Sequence, residues 1–130
     1  MTKALIIGAS GGIGAALAAA CAGHEVRALS RRDDGFDVTD PASVDRALGA
    51  LDGPFDLIIV AIGILGMPEK SLAAIDASAM AQVFAVNTIG PALILHHVPR
   101  LLGTSGKVAV LSARVGSIGD NRIGGWHSYR

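Results

Sequence analysis

"KALIIGASGGIGAALAAACAG", running from Lys3 to Gly23, is the stretch whose reading decides the fold. Its first part, Lys3 to Gly8, is a short apolar run ending in glycine and predicts a buried strand. Its last part, "GIGAALAAACAG", is alanine-rich and predicts a helix closed by Gly23. Between them, "GASGGIG" sets Gly8, Gly12 and Gly14 at the joint. Glycine makes up 17 of the 130 residues, so any fixed three-glycine template is expected about 0.3 times by chance. The context carries the weight instead. A strand, a glycine loop and a helix, in that order, are where a dinucleotide fold places its phosphate loop. Each glycine then has its own expected task. Gly8 permits a sharp turn, Gly12 lets the backbone approach a pyrophosphate, and Gly14 lets the helix pack closely on the strand. The helix N-terminus adds free N–H groups and a partial positive charge suited to an anion. The spacing is G-x-x-x-G-x-G and differs from the G-x-G-x-x-G fingerprint.

Outward from this joint the segments alternate. "EVRAL" predicts a second strand, and "RRDDGFDV" a loop with a very short third strand leading to Asp37. Asp40 followed by Pro41 marks a helix start, an N-cap with proline at the first helical position. "FDLIIVAIG" predicts another buried strand. A long helical stretch begins near Asp76 or Ser78; Pro91 is expected to kink it, and Pro99 lies near its end. "GKVAVLSA" predicts a further strand, and "RVGSIGDNRIGGWHSYR" a glycine-rich loop with a helix start at its end. Such alternation means an α/β fold: a Rossmann-like, doubly wound parallel sheet with right-handed crossovers and helices on both faces. Composition agrees. Hydrophobic residues are 51% and charged residues 17%, which suits strands buried on both faces.

The same numbers exclude several classes. Net charge is zero and the longest basic block is Arg31–Arg32, so nothing predicts nucleic-acid binding. The longest uninterrupted apolar run, Leu57 to Met67, is far short of a bilayer span, and no membrane association is expected. The N-terminus imitates a secretory signal, but Gly8, Gly11, Gly12 and Gly14 interrupt its would-be helix. Cys21 is the single cysteine, which fits a reducing, cytoplasmic compartment. Cys21 and His24 lack a second ligand pair, and no two histidines stand four apart, so no metal is expected. At the end of the second strand an NAD site places a carboxylate and an NADP site favours arginine. Here the residues are Ser30, Arg31 and Arg32, which favours NADP over NAD and makes Arg31 the candidate for the 2′-phosphate.

Taken together these motifs resemble the short-chain dehydrogenase/reductase family, in order and over the whole chain. "GASGGIG" is similar to its glycine motif, which adds Ser10 and Ile13 to the implied cofactor contacts. "FDVTD" is similar to the segment that contacts adenine, here Asp37 with Val38 behind it. "IIVAIG" falls at the family's Asn-Asn-Ala-Gly stretch; Gly63 survives, and Ala61 is implied as its cofactor-lining neighbour. "FAVNTIGP" is similar to the segment of the catalytic asparagine, here Asn87, and "GKVAVLSA" to the fifth strand, which delivers the catalytic serine. "SYR" falls where Tyr-x-x-x-Lys begins. The closing segment most resembles the branch of C-factor and similar small carbonyl reductases. The resemblance implies an oxidoreductase moving a hydride between NADP(H) and a small-molecule carbonyl or secondary alcohol. Tyr129 would be its proton donor, and Asn87 would place a water in the relay. The usual serine spacing, counted back from Tyr129, lands on Gly116, so Ser112 and Ser117 are both candidates, with Ser112 preferred as the strand-end residue.

It further implies residues 1–130 as the N-terminal portion of a single NAD(P)-binding domain, with its first five strands. A homo-oligomer through the Ala79–Leu102 helix is expected. The motif lysine would fall past Arg130, so the chain is expected to be truncated inside the motif and to turn over negligibly by itself. The alternative reading is a non-catalytic dinucleotide-binding sensor or interaction module.

Overall fold

The central strands of the parallel sheet are apolar runs buried on both faces, and its edge strands are more exposed. In the computed structural model, which describes residues Met1–Arg130, the strands are β1 (Lys3–Ile7), β2 (Glu25–Leu29), β3 (Phe55–Val60) and β4 (Leu102–Val110). All pair in parallel, in the order β2-β1-β3-β4. The helices are α1 (Gly12–Ala20), α2 (Arg31–Asp34), α3 (Pro41–Gly49), α4 (Ala77–Phe84) and α5 (Gly90–Leu101). Alternate side chains of β1 enter different cores. Leu5 and Ile7 join Val44 and Leu48 of α3 and Ile94 and Leu101 of α5 in the larger one. Ala4 and Ile6 join Ile59, with Leu17 and Ala18 of α1 packed against them. The central strands β1 and β3 are therefore covered on both faces, as the alternation predicts. Strand order reverses at β1, whose neighbours are β2 and β3, and α/β folds open their ligand crevice at such a switch point.

The structure corrects two expectations on the far side of β2. The sheet has four strands, not five: the short strand leading to Asp37 does not form. Its amides are spent locally. Phe36 N–H donates to the Ser30 carbonyl (3.2 Å), and Asp37 N–H donates to Ser43 Oγ (3.0 Å). The "RRDD" segment is not loop but the one-turn helix α2. Ser30 Oγ accepts from Asp33 N–H at 3.0 Å, Asp34 accepts from Ser30 N–H at 2.8 Å, and Gly35, at φ 64°, closes the turn. A serine followed three residues later by an acid was the legible signal.

Asp76 caps α4, its Oδ1 accepting from Ala79 N–H at 2.8 Å. The expected disturbance at Pro91 takes the form of a π-turn, Ala85–Ile89, which joins α4 to α5. Pro91 has no N–H for the carbonyl one turn back, and its ring crowds that turn. The widened turn answers this, with Gly90 N–H donating to the Ala85 carbonyl. By length and composition alone, Ala77–Leu101 is long and apolar enough to cross a membrane. Here Val83, Pro91, Ile94 and Leu101 are buried in the domain, while Phe84 and Ile89 are exposed.

Candidate functional site

The register of the sheet brings three loops to one height. Ile7 pairs with Val60, and Val60 with Val110, so Gly8, Ala61 and Leu111 leave the sheet side by side. Ala61 N–H donates to the Ile7 carbonyl (2.7 Å) and Leu111 N–H to the Val60 carbonyl (3.1 Å), which carries the pairing to that edge. A cleft of about 550 Å³ opens above it. The glycine loop forms one wall, residues 61–65 and 111–113 the floor, and the π-turn and Tyr129 the far side.

The three glycines divide by what a side chain would meet. At Gly8, with φ 93°, a Cβ would lie 2.4 Å from the Ala61 carbonyl oxygen. At Gly14 it would lie 2.1 Å from the Gly8 carbonyl oxygen. Both positions are closed by the protein's own backbone. At Gly12, which lines the cleft, a Cβ would meet nothing within 4 Å. The start of α1 has no side-chain cap and no acid in its first turn. No backbone carbonyl accepts from the N–H groups of Gly12, Ile13 and Gly14. An open backbone surface with unanswered donors and no competing carboxylate fits the pyrophosphate of a dinucleotide.

Asn87 stands in the π-turn, a distortion frequent at functional positions. Its Oδ1 accepts from Ile64 N–H and its Nδ2 donates to the Ile64 carbonyl, each at 2.8 Å. The side chain thus holds the loop after β3 against the long helix. Asn87→Ala removes both bonds and leaves the Ile64 groups unanswered. It is expected to lower stability by about 2 kcal/mol, read as a lower urea midpoint. Tyr129 arrives on a compact turn. Arg130 donates to the carbonyls of Gly125 (2.8 Å), Val115 (2.9 Å) and Gly124 (3.2 Å), and Trp126 sits at φ 55°.

Of the residues singled out in the sequence, Gly12, Ile13, Ala61, Gly63, Asn87, Ser112 and Tyr129 meet at the cleft. Gly8, Ser10 and Gly14 belong to the loop but do not line it, nor do Arg31, Asp37 and Val38. Val38 is a core residue, 7% exposed, packed where a Cβ on Gly90 would lie 2.4 Å from its Cγ2. Ser117 stands off the cleft, behind a short 3₁₀ turn, and its Oγ accepts from Asp120 N–H at 3.1 Å. Ser112 stands two residues past the end of β4 and lines the cleft. Asp37 accepts from the Thr39 hydroxyl (2.7 Å) and N–H (2.9 Å), which holds its carboxyl below the usual range. Arg32 is paired with Asp33 at 3.1 Å, whereas Arg31 has no ion-pair partner. Sequence reasoning missed Glu69, a buried carboxylate bonded to Ser128. An isolated acid in a loop carries no periodic or motif signal.

No protein-family model matches the chain. Over 101 residues it is 32% identical to the 1-hydroxy-2-glutathionyl-2-methyl-3-butene dehydrogenase of Rhodococcus sp. (strain AD45). The match covers 75% of this chain and 44% of that protein, so the chain spans less than half the length of this curated relative. Among solved structures, a protein of Burkholderia multivorans described as a short-chain alcohol dehydrogenase superposes with a TM-score of 0.89. The identity is 24%, over 100% of this chain and 70% of the other, a likeness of fold. A small-chain dehydrogenase solved in complex with NADPH superposes with a TM-score of 0.78 at 27% identity, over 88% of this chain and 52% of its own.

Proposed function

The chain belongs to the short-chain dehydrogenase/reductase family, and on that premise we propose that it forms the dinucleotide-binding portion of an NADP-dependent oxidoreductase. The reaction is hydride transfer between NADP(H) and a carbonyl or secondary alcohol. One observation carries the reading: the cleft that exposes the open backbone of Gly12 also receives Tyr129, Ser112 and Asn87. The relatives support it, one as a dehydrogenase of a hydroxy compound and one as a structure with NADPH.

The N–H groups at the start of α1 would hold the pyrophosphate, and Arg31 the 2′-phosphate. The acids beside Arg31 have cations of their own: Asp33 pairs with Arg32 at 3.1 Å, and Asp34 lies 3.9 Å from Arg27. When bound, the reduced nicotinamide supplies the hydride. The chain's own groups handle the substrate oxygen. Ser112 Oγ–H polarises the carbonyl, and the Tyr129 phenol gives its proton to the developing alkoxide. An ordinary phenol, with a pKa of about 10, needs a nearby cation for this work at neutral pH, which the family supplies with its motif lysine. Asn87 spends one acceptor and one donor on Ile64. An amide side chain has one further donor and one further lone pair, enough to hold a water.

Calorimetry with NADPH and NADH tests the reading. NADPH is expected to bind more tightly, and a folded chain that binds neither dinucleotide sinks the proposal. Arg31→Ala is expected to weaken NADPH binding about tenfold or more and to leave NADH binding unchanged. An equal loss for both would take the 2′-phosphate away from Arg31.

A further inference from the structure

We propose that Glu69 is a positioning residue for Tyr129: its carboxylate grips Ser128 and through it fixes the phenol at the cleft. This rests on the reading of Tyr129 as proton donor. Glu69 is 6% exposed and Ser128 8% exposed. No lysine or arginine pairs with Glu69. A buried carboxylate without a cation is costly unless hydrogen bonds answer it. Here they do. Oε1 accepts from the Ser128 hydroxyl, and Oε2 accepts from Ser128 N–H at 3.2 Å. The match is chemical: Ser128 offers two donors, and a carboxylate offers two acceptor oxygens. The Ser128 hydroxyl bond above all holds the Glu69 carboxyl below its usual range.

The backbone repeats the grip. Trp126 N–H donates to the Glu69 carbonyl at 2.6 Å. A Cβ on Gly125 would lie 2.5 Å from that same oxygen, so the two segments touch at a distance only glycine allows. The Trp126 and Tyr129 rings meet edge to face, with centroids 6.0 Å apart. The loop that starts at Ile64 is thus strapped twice, by Asn87 at its beginning and by Glu69 to the turn that carries Tyr129. Arg130 closes that turn from the other side through its bond to Val115. Glu69 acts on the residue next to the phenol.

Tyr129 is the only tyrosine and Trp126 the only tryptophan, so near-ultraviolet circular dichroism reports on this pair alone among those chromophores. In Glu69→Ala the Ser128 amide is expected to exchange about tenfold or more faster, and the aromatic band to weaken. The core amides of Ile6 and Ile58 keep their protection. Glu69→Gln, with one acceptor oxygen, falls between. If Glu69→Ala unfolds the core, Ser128→Ala serves, expected to weaken the band with the core intact. In the whole protein, Glu69→Ala lowers kcat about tenfold or more with NADPH affinity unchanged. Unchanged Ser128 exchange, an unchanged aromatic band in Ser128→Ala, or an unchanged kcat overturns the proposal. Failure of the wild-type chain to bind NADPH would remove the functional reading and leave the exchange result standing.

Discussion

Gly12→Ala should leave the chain folded and weaken NADPH binding at least about tenfold, whereas Gly14→Ala should damage the fold itself. The difference is geometric. A Cβ on Gly12 meets nothing within 4 Å, and Gly12 is absent from the positive-φ positions. It opens α1, where alanine in place of glycine stabilises a helix by about 0.5–1 kcal/mol. Its thermal midpoint is therefore expected to hold or rise. The new methyl instead occupies the surface that the pyrophosphate would use. At Gly14 the Cβ would sit 2.1 Å from the Gly8 carbonyl oxygen, and neither backbone can move without parting α1 from β1. A cost of about 3 kcal/mol or more follows, a large share of a domain's usual 5–15 kcal/mol. Thermal denaturation followed by circular dichroism, with calorimetry on each variant, separates the two effects. Gly12→Ala binding NADPH as well as the parent chain would show that the open loop holds no phosphate.

Tyr129→Phe carries the second large effect. Measured on the whole protein with NADPH and a panel of carbonyl compounds, it is expected to lower kcat by about 10²–10⁴. NADPH affinity should stay where it was. Phenylalanine keeps the ring that meets Trp126 edge to face, so stability should also be nearly unchanged. Only the proton is lost. A variant that reduces carbonyls at the parent rate would hand the proton to another group in the cleft.

Much of this was readable from short stretches. Asp40 before Pro41 marked α3, and Asp76 marked α4, because caps and prolines act on their own turn. Apolar runs marked the strands of the sheet. The errors lay where local signals compete. Ser30 with Asp33 and Asp34 made a helical turn out of expected loop, and the amides after it turned to Ser30 and Ser43 instead of a fifth strand. Ser112 and Ser117 were both candidates on paper, with only the strand end to favour Ser112. What separates them is that one leaves β4 at the floor of the cleft while the other is held in a turn by Asp120.

By itself the sequence determined the α/β alternation and the glycine joint, because propensity, capping and apolar period act over a few residues, and its motifs offered Asn87, Ser112, Ser117 and Tyr129 as candidates. Tertiary structure alone decided how close the loop backbones stand at each glycine, that Ser117 turns to Asp120 off the cleft, and that Glu69 reaches Ser128 across 59 positions. Those outcomes depend on the register that levels Ile7, Val60 and Val110 and on the loops packed above them. Contacts between distant residues are set by how the elements dock, and no local pattern encodes that distance.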